Sequence, residues 1–190
     1  MDARINPAAA LGLKEGDAHV IRNAGGRASD DAIRSFVISH KLLGTKEWCV
    51  ARLDLSRPTR AAPRRSHQRR RPPPPPRRFV IHHTDCGMEY FENKDLAGLL
   101  EGTLASVNIV AAPGSPKGVA FENPAGAAGG CADGHKHDWL TIADQASSVK
   151  EDVAKIAGHA LVAPGIPIHG YIYNVKTGAI EHVVSAVTRA

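Results

Sequence analysis

Cysteine is scarce in this 190-residue chain: Cys49, Cys86 and Cys131 make an odd set of three, which argues against a disulfide framework. Aromatic residues are 5% of the sequence while hydrophobic residues are 43%, so the expected core is aliphatic. No apolar run approaches the roughly 20 residues of a membrane span. The opening, MDARINPAAALGLKEGD, lacks the basic start and continuous apolar stretch of a secretory signal. A reducing, cytoplasmic setting is therefore expected, with no membrane partner. No internal repeat is apparent, and the length suits one domain, 1–190.

Acids are nearly missing from one stretch. Residues 49–78, CVARLDLSRPTRAAPRRSHQRRRPPPPPRR, hold ten arginines, no lysine and a single acid, Asp54. That stretch carries +9 of a total of +5, which leaves −4 for the rest of the chain. The basic character belongs to this segment and not to the domain, so no nucleic-acid partner is expected. Seven of the thirteen prolines lie there, five of them in a row. Such a composition buries too little apolar surface to offset ordering entropy, so 49–78 is expected to be a disordered Arg/Pro-rich insert. Arginine without lysine, mixed with proline and alanine, is also what GC-rich noncoding sequence encodes. The segment accordingly reads as a retained intron, and without it the flanks join as the continuous strand KEWFVIHHTDCG.

The remaining pattern is strand, helix, strand. AHVIR (18–22) reads as a short strand. Ser29 or Asp30 can cap a helix with apolar positions Ile33, Phe36, Val37 and Leu43, and Gly44 stands where helices commonly end. Trp48 with Phe79–His82 forms the next strand, and the order implies a parallel right-handed crossover. Residues 102–136 are rich in Gly, Ala and Pro and read as a surface excursion. A helix is expected from Trp139 to Gly158. IPIHGYIYNVKTGAIEHVV then gives a C-terminal hairpin turning at Lys176-Thr177-Gly178.

Ligand sites in parallel sheets gather at the carboxyl ends of strands, where HHTDCG (82–87) falls. His83 and Cys86 have a spacing that can hold zinc from a strand end, although the pair alone is a weak signal. His82 points to the opposite face of an extended strand and is read as structural. Cys131, His135 and His137 lack paired spacing and are not assigned to a metal.

Several stretches together resemble the β-class carbonic anhydrases, especially the compact microbial and fungal kind. They are MDARINP at the start, EGDAHVIRNAGG (15–26), DDAIRSFVISHKLLGT (30–45), VIHHTDCGM (80–88), DWLTIADQASSVKEDV (138–153) and IPIHGYIYNVKTG (166–178). The resemblance implies a three-layer α/β/α fold with a mainly parallel sheet, and zinc-dependent reversible hydration of carbon dioxide to bicarbonate. It also implies a homodimer or a dimer of dimers.

In that family zinc is held by Cys-x-Asp-x-Arg together with a later His-x-x-Cys. His83 and Cys86 match the second motif, and Asp2 and Arg4 match the acid and base of the first. The first motif's cysteine would stand immediately before Met1, so it and the family's first core strand are expected upstream of the sequence. The implied roles are Asp2 accepting a hydrogen bond from the reacting water, Arg4 holding Asp2, and Asp2 as a substitute third ligand beside His83 and Cys86. With one cysteine ligand missing, the expectation for this chain is low activity. The alternative is a non-catalytic, metal-poor relative.

Overall fold

The computed structural model describes residues 1–45, 47–49, 77–115 and 117–189. In chain order the elements are α1 (Pro7–Leu11), β1 (His19–Val20), α2 (Asp30–Leu43), β2 (Glu47–Cys49), β3 (Arg77–His83) and α3 (Asn93–Gly102). They continue with β4 (Asn108–Ala111), β5 (Val119–Glu122), α4 (Gln145–Gly158), β6 (Pro167–Tyr173) and β7 (Ile180–Val187). A five-stranded sheet has the order β1-β2-β3-β6-β7, and β4 and β5 form a separate hairpin. Three of the four pairings in the larger sheet are parallel, and only β6–β7 is antiparallel. The α/β expectation holds.

β3 is the central strand and its side chains alternate. Val80 and His82 face α2 and α4, where Val80 joins Ile33, Phe36, Val153, Ile156 and Ile168 in the main core. Phe79 and Ile81 face the other way and pack with Leu11 of α1, Ala18 and Tyr171. This period of two is what allows neighbouring histidines, His82 and His83, to serve different purposes. The helices end as their sequences dictate. Ser29 accepts from Ala32 N–H at the start of α2, and Gly44 closes it in the left-handed conformation at φ 63°.

Three expectations change. Trp48 and Phe79–His82 do not form one strand: β2 lies beside β3 in parallel register, Trp48 opposite Arg78 and Cys49 opposite Phe79. A single strand cannot pair with itself in parallel, so these are two strands and not one. Of the proposed 49–78 insert, Cys49, Arg77 and Arg78 belong to these strands, and 50–76 lie outside the described residues. The helix expected from Trp139 begins only at Gln145, capped by Asp144, because Leu140 at φ 54° breaks the preceding turn. The 102–136 segment carries the β4–β5 hairpin, Asn108 opposite Glu122 and Ala111 opposite Val119. Among the described residues, no helix is long and apolar enough to cross a membrane.

Candidate active site

β3 ends at His83, and the chain turns at once through Thr84 and Asp85 into Cys86, which precedes a single 3-10 turn (Gly87–Glu89). Gln145 at the start of α4 donates to the His83 carbonyl at 2.8 Å and fixes this strand end. The His83 ring lies with Nδ1 3.0 Å from the Thr84 carbonyl. A carbonyl only accepts, so Nδ1 carries the proton and the Nε2 lone pair is available to a metal. Cys86 is 3% exposed, and burial pushes its thiol above the ordinary value.

Asp2 and Arg4 approach from the start of the chain. Arg4 Nε donates to both carboxylate oxygens of Asp2, at 3.0 and 3.1 Å, and Nη2 donates to Oδ2 at 2.6 Å. These bonds from Arg4 hold the Asp2 carboxyl far below the usual carboxylate range. Arg22 grips the same loop through the carbonyls of Asp2 and Ile5. Asp2 Oδ2 lies 3.9 Å from His83 Nε2. The turn at Gly25–Gly26 lets the loop after β1 come against β3: Gly26 has φ 68°, and a Cβ there would stand 2.8 Å from the Ile81 carbonyl oxygen.

Asp2, Arg4, His83 and Cys86 all line one cavity of about 620 Å³. Apolar side chains also line it, Phe91 together with Ile109, Val119 and Phe121 of the hairpin. Phe91 and Phe121 meet edge to face at 5.9 Å between ring centres. The structure thus brings together every residue assigned from sequence. It adds the hairpin side chains and two polar residues, Asp85 and Tyr90, that the sequence reading passed over. Asp85 lies inside the HHTDCG stretch, and its position between the two zinc-type residues was the available signal. Tyr90 and the hairpin side chains carry no such mark.

Behind the site, His82 is fully buried, with Nε2 2.9 Å from Asp152 Oδ2 of α4. The same oxygen accepts from Arg27 Nε at 3.0 Å, and Arg27 also donates to the carbonyls of Leu140 and Thr141. His82 is structural, as expected.

No family model matches the chain. It is 27% identical to β-carbonic anhydrase 1 of Mycobacterium tuberculosis over 185 residues, covering 96% of this chain and 77% of that protein. The crystal structure of carbonic anhydrase from Streptococcus mutans superposes with a TM-score of 0.64 at 33% identity, covering 97% of this chain and 77% of that one. This chain is a β-class carbonic anhydrase by family. A carbon disulfide hydrolase of Saccharolobus solfataricus is 35% identical over 97 residues, 51% of this chain and 33% of that protein, so relatives differ in activity.

β-Carbonic anhydrases generally use zinc, and the residues here fit it in kind but not in number. An imidazole nitrogen with a bare lone pair and a cysteine sulfur are zinc donors, but catalytic sites normally have three protein ligands. Among the described residues, no three His, Cys, Asp or Glu side chains converge closely enough to hold a metal ion. Asp2, the nearest third donor, has its carboxylate engaged by Arg4.

Proposed function

We propose that this cavity serves the reversible hydration of carbon dioxide to bicarbonate and a proton. The observation that supports this reading is the meeting of Asp2, Arg4, His83 and Cys86 in the lining of one cavity that Phe91, Ile109, Val119 and Phe121 also line. Carbon dioxide has no net charge and no donor, so it suits these apolar side chains, while water and bicarbonate suit the polar ones. Asp2, kept ionised by Arg4, accepts a hydrogen bond from the attacking water and so aims its lone pair. Arg4 spends its donors fixing that carboxylate.

His83 and Cys86 would hold zinc, which when bound lowers the pKa of water from about 15.7 to about 7. Asp2 is the third ligand available if it gives up part of the Arg4 fork. Two unencumbered donors make for weak zinc binding, so activity of this chain should be low and should track zinc content. A second reading, a metal-poor and non-catalytic relative, is favoured by the lack of a three-donor group among the described residues. The working form is proposed to be a cytoplasmic homodimer, or a dimer of dimers. Residues 49–78 are proposed to be an intron product, to be checked by sequencing the spliced transcript.

The test is zinc per purified chain by plasma mass spectrometry, alongside stopped-flow hydration with a pH indicator. Turnover proportional to bound zinc and lost on chelation supports the enzyme. Negligible zinc and no turnover, even with zinc supplied, supports the non-catalytic reading. Sulfide release from carbon disulfide, without hydration of carbon dioxide, would reassign the substrate.

A further inference from the structure

Asp85 lies in the left-handed region at φ 56°, directly before the buried Cys86. Among non-glycine residues, Asp and Asn enter this region most readily, and such conformations concentrate at functional sites. Its contacts show what the turn achieves. Arg4 Nη1 donates to Asp85 Oδ2 at 2.7 Å, while Nη2 of the same guanidinium donates to the Asp85 carbonyl at 2.8 Å. The second carboxylate oxygen, Oδ1, accepts from the Tyr90 hydroxyl at 2.8 Å. One residue therefore offers both a side-chain and a main-chain oxygen to one guanidinium, and is itself braced from the far end of the 3-10 turn.

The rest of the Arg4 fork is given to Asp2. Taken alone, Asp2 and Arg4 would be a pair two residues apart with a half-exposed guanidinium, and partly exposed pairs impose little order. Asp85 turns the pair into a bridge spanning 81 residues of sequence, from the start of the chain to the loop between His83 and Cys86.

We propose that Asp85 and Tyr90 are positioning residues of this site, fixing the Arg4 fork and through it the direction of the Asp2 carboxylate. This rests on the reading of Asp2 as the residue that aims the reacting water. Asp85 acts through Arg4, and Tyr90 acts through Asp85.

Three full-length variants test this. Asp85→Gly removes the carboxylate while accepting the left-handed turn, Asp85→Asn retains an acceptor and also tolerates the turn, and Tyr90→Phe removes only the brace. Solvent exchange of the Arg4 Nε–H, read by nitrogen-15 NMR, should be about tenfold faster in Asp85→Gly. It should be intermediate in Tyr90→Phe and partly restored in Asp85→Asn, with matching broadening of the Asp2 carboxyl carbon resonance. At equal zinc content, kcat for hydration should fall by about tenfold in Asp85→Gly with little change in KM.

Unchanged Arg4 exchange and an unchanged Asp2 resonance in Asp85→Gly would overturn the proposal. A loosened Arg4 with undiminished kcat would overturn it as well. If the parent chain fails to hydrate carbon dioxide but the Arg4 and Asp2 signals respond, the positioning role stands and the substrate reading fails.

Discussion

Replacing Asp152 with alanine should cost this protein much of its stability, and the magnitude follows from its surroundings. Asp152 is 2% exposed and its Oδ2 accepts from both Arg27 Nε and His82 Nε2. Arg27 is 7% exposed. Once the carboxylate is removed, the guanidinium keeps two neutral carbonyls and Glu151, whose side chain is 68% exposed and largely shielded by water. Removing one member of a buried charge pair costs about 3–5 kcal/mol. Glu151 moves the expectation toward the low end, and the lost His82 bond adds about 1 kcal/mol. Native domains are stable by only about 5–15 kcal/mol, so the variant should stand close to unfolding. For a chain of this size, each kcal/mol shifts the midpoint by about 2–4 °C, so a cost of about 4 kcal/mol gives a loss of about 8–16 °C. Thermal melts followed by circular dichroism, with EDTA to exclude metal-linked stabilisation, provide the measurement. Asp152→Asn, which keeps an acceptor in place, should fall between the two. A midpoint for Asp152→Ala within about 2 °C of the parent would refute the view that this carboxylate anchors Arg27 and His82.

Gly170→Ala would place a methyl 3.0 Å from both Val153 Cγ2 and Val184 Cγ1 and closer still to Val149 Cγ1. The same melts should show a loss of about 1–3 kcal/mol from overpacking between β6 and α4. Cys86→Ser should lower bound zinc by tenfold or more, measured by plasma mass spectrometry, while leaving the metal-free melting midpoint almost unchanged. Asp138 is held below its ordinary value of 3.8, first by the Leu140 N–H and then by the Asn93 amide. A lowered folded pKa adds stability above the unfolded value, and that stability is lost as pH falls through the folded one. The midpoint difference between the parent and Asp138→Asn should therefore be widest near neutral pH and shrink as pH falls below the ordinary value of 3.8.

Local signals were legible in this sequence wherever one residue sufficed to set the backbone. Ser29 and Gly44 mark the two ends of α2, and Gly178, at φ 73°, marks the β6–β7 turn. The alternation in FVIHH separates His82 from His83 before any coordinates. What escaped depended on long-range pairing. Trp48 and Phe79 look like one strand because both sides of 49–78 are apolar, and only the sheet register reveals neighbours. The β4–β5 hairpin lacks a two-residue turn and regular alternation, so its apolar side chains gave no hint that they face the cavity. For the site itself, spacing at a strand end pointed to His83 and Cys86, and the family resemblance pointed to Asp2 and Arg4. The contribution of Asp85 needed geometry, because hydrogen bonding to a residue 81 positions away leaves no local pattern.

The two sides of β3 hold the site in different ways, and this bears on the metal. His83 is fixed from within: its strand is bounded by the buried Arg27–Asp152–His82 network, and its carbonyl is tied to Gln145. Cys86 is fixed by burial. The Asp2 carboxylate is held from the solvent side, through Arg4 and Asp85, whose side chains are 52% and 41% exposed, while Arg22 holds its main-chain carbonyl. Salt screens such exposed pairs and spares buried ones. Rising ionic strength should therefore loosen Asp2 long before it disturbs His83 or Cys86. A zinc ion resting on the two rigid donors would gain its third ligand from the mobile one, at the expense of the carboxylate that aims the water. Zinc retention that rises with salt while hydration falls would be the signature of that exchange. Parallel loss of both would place Asp2 with the rigid pair.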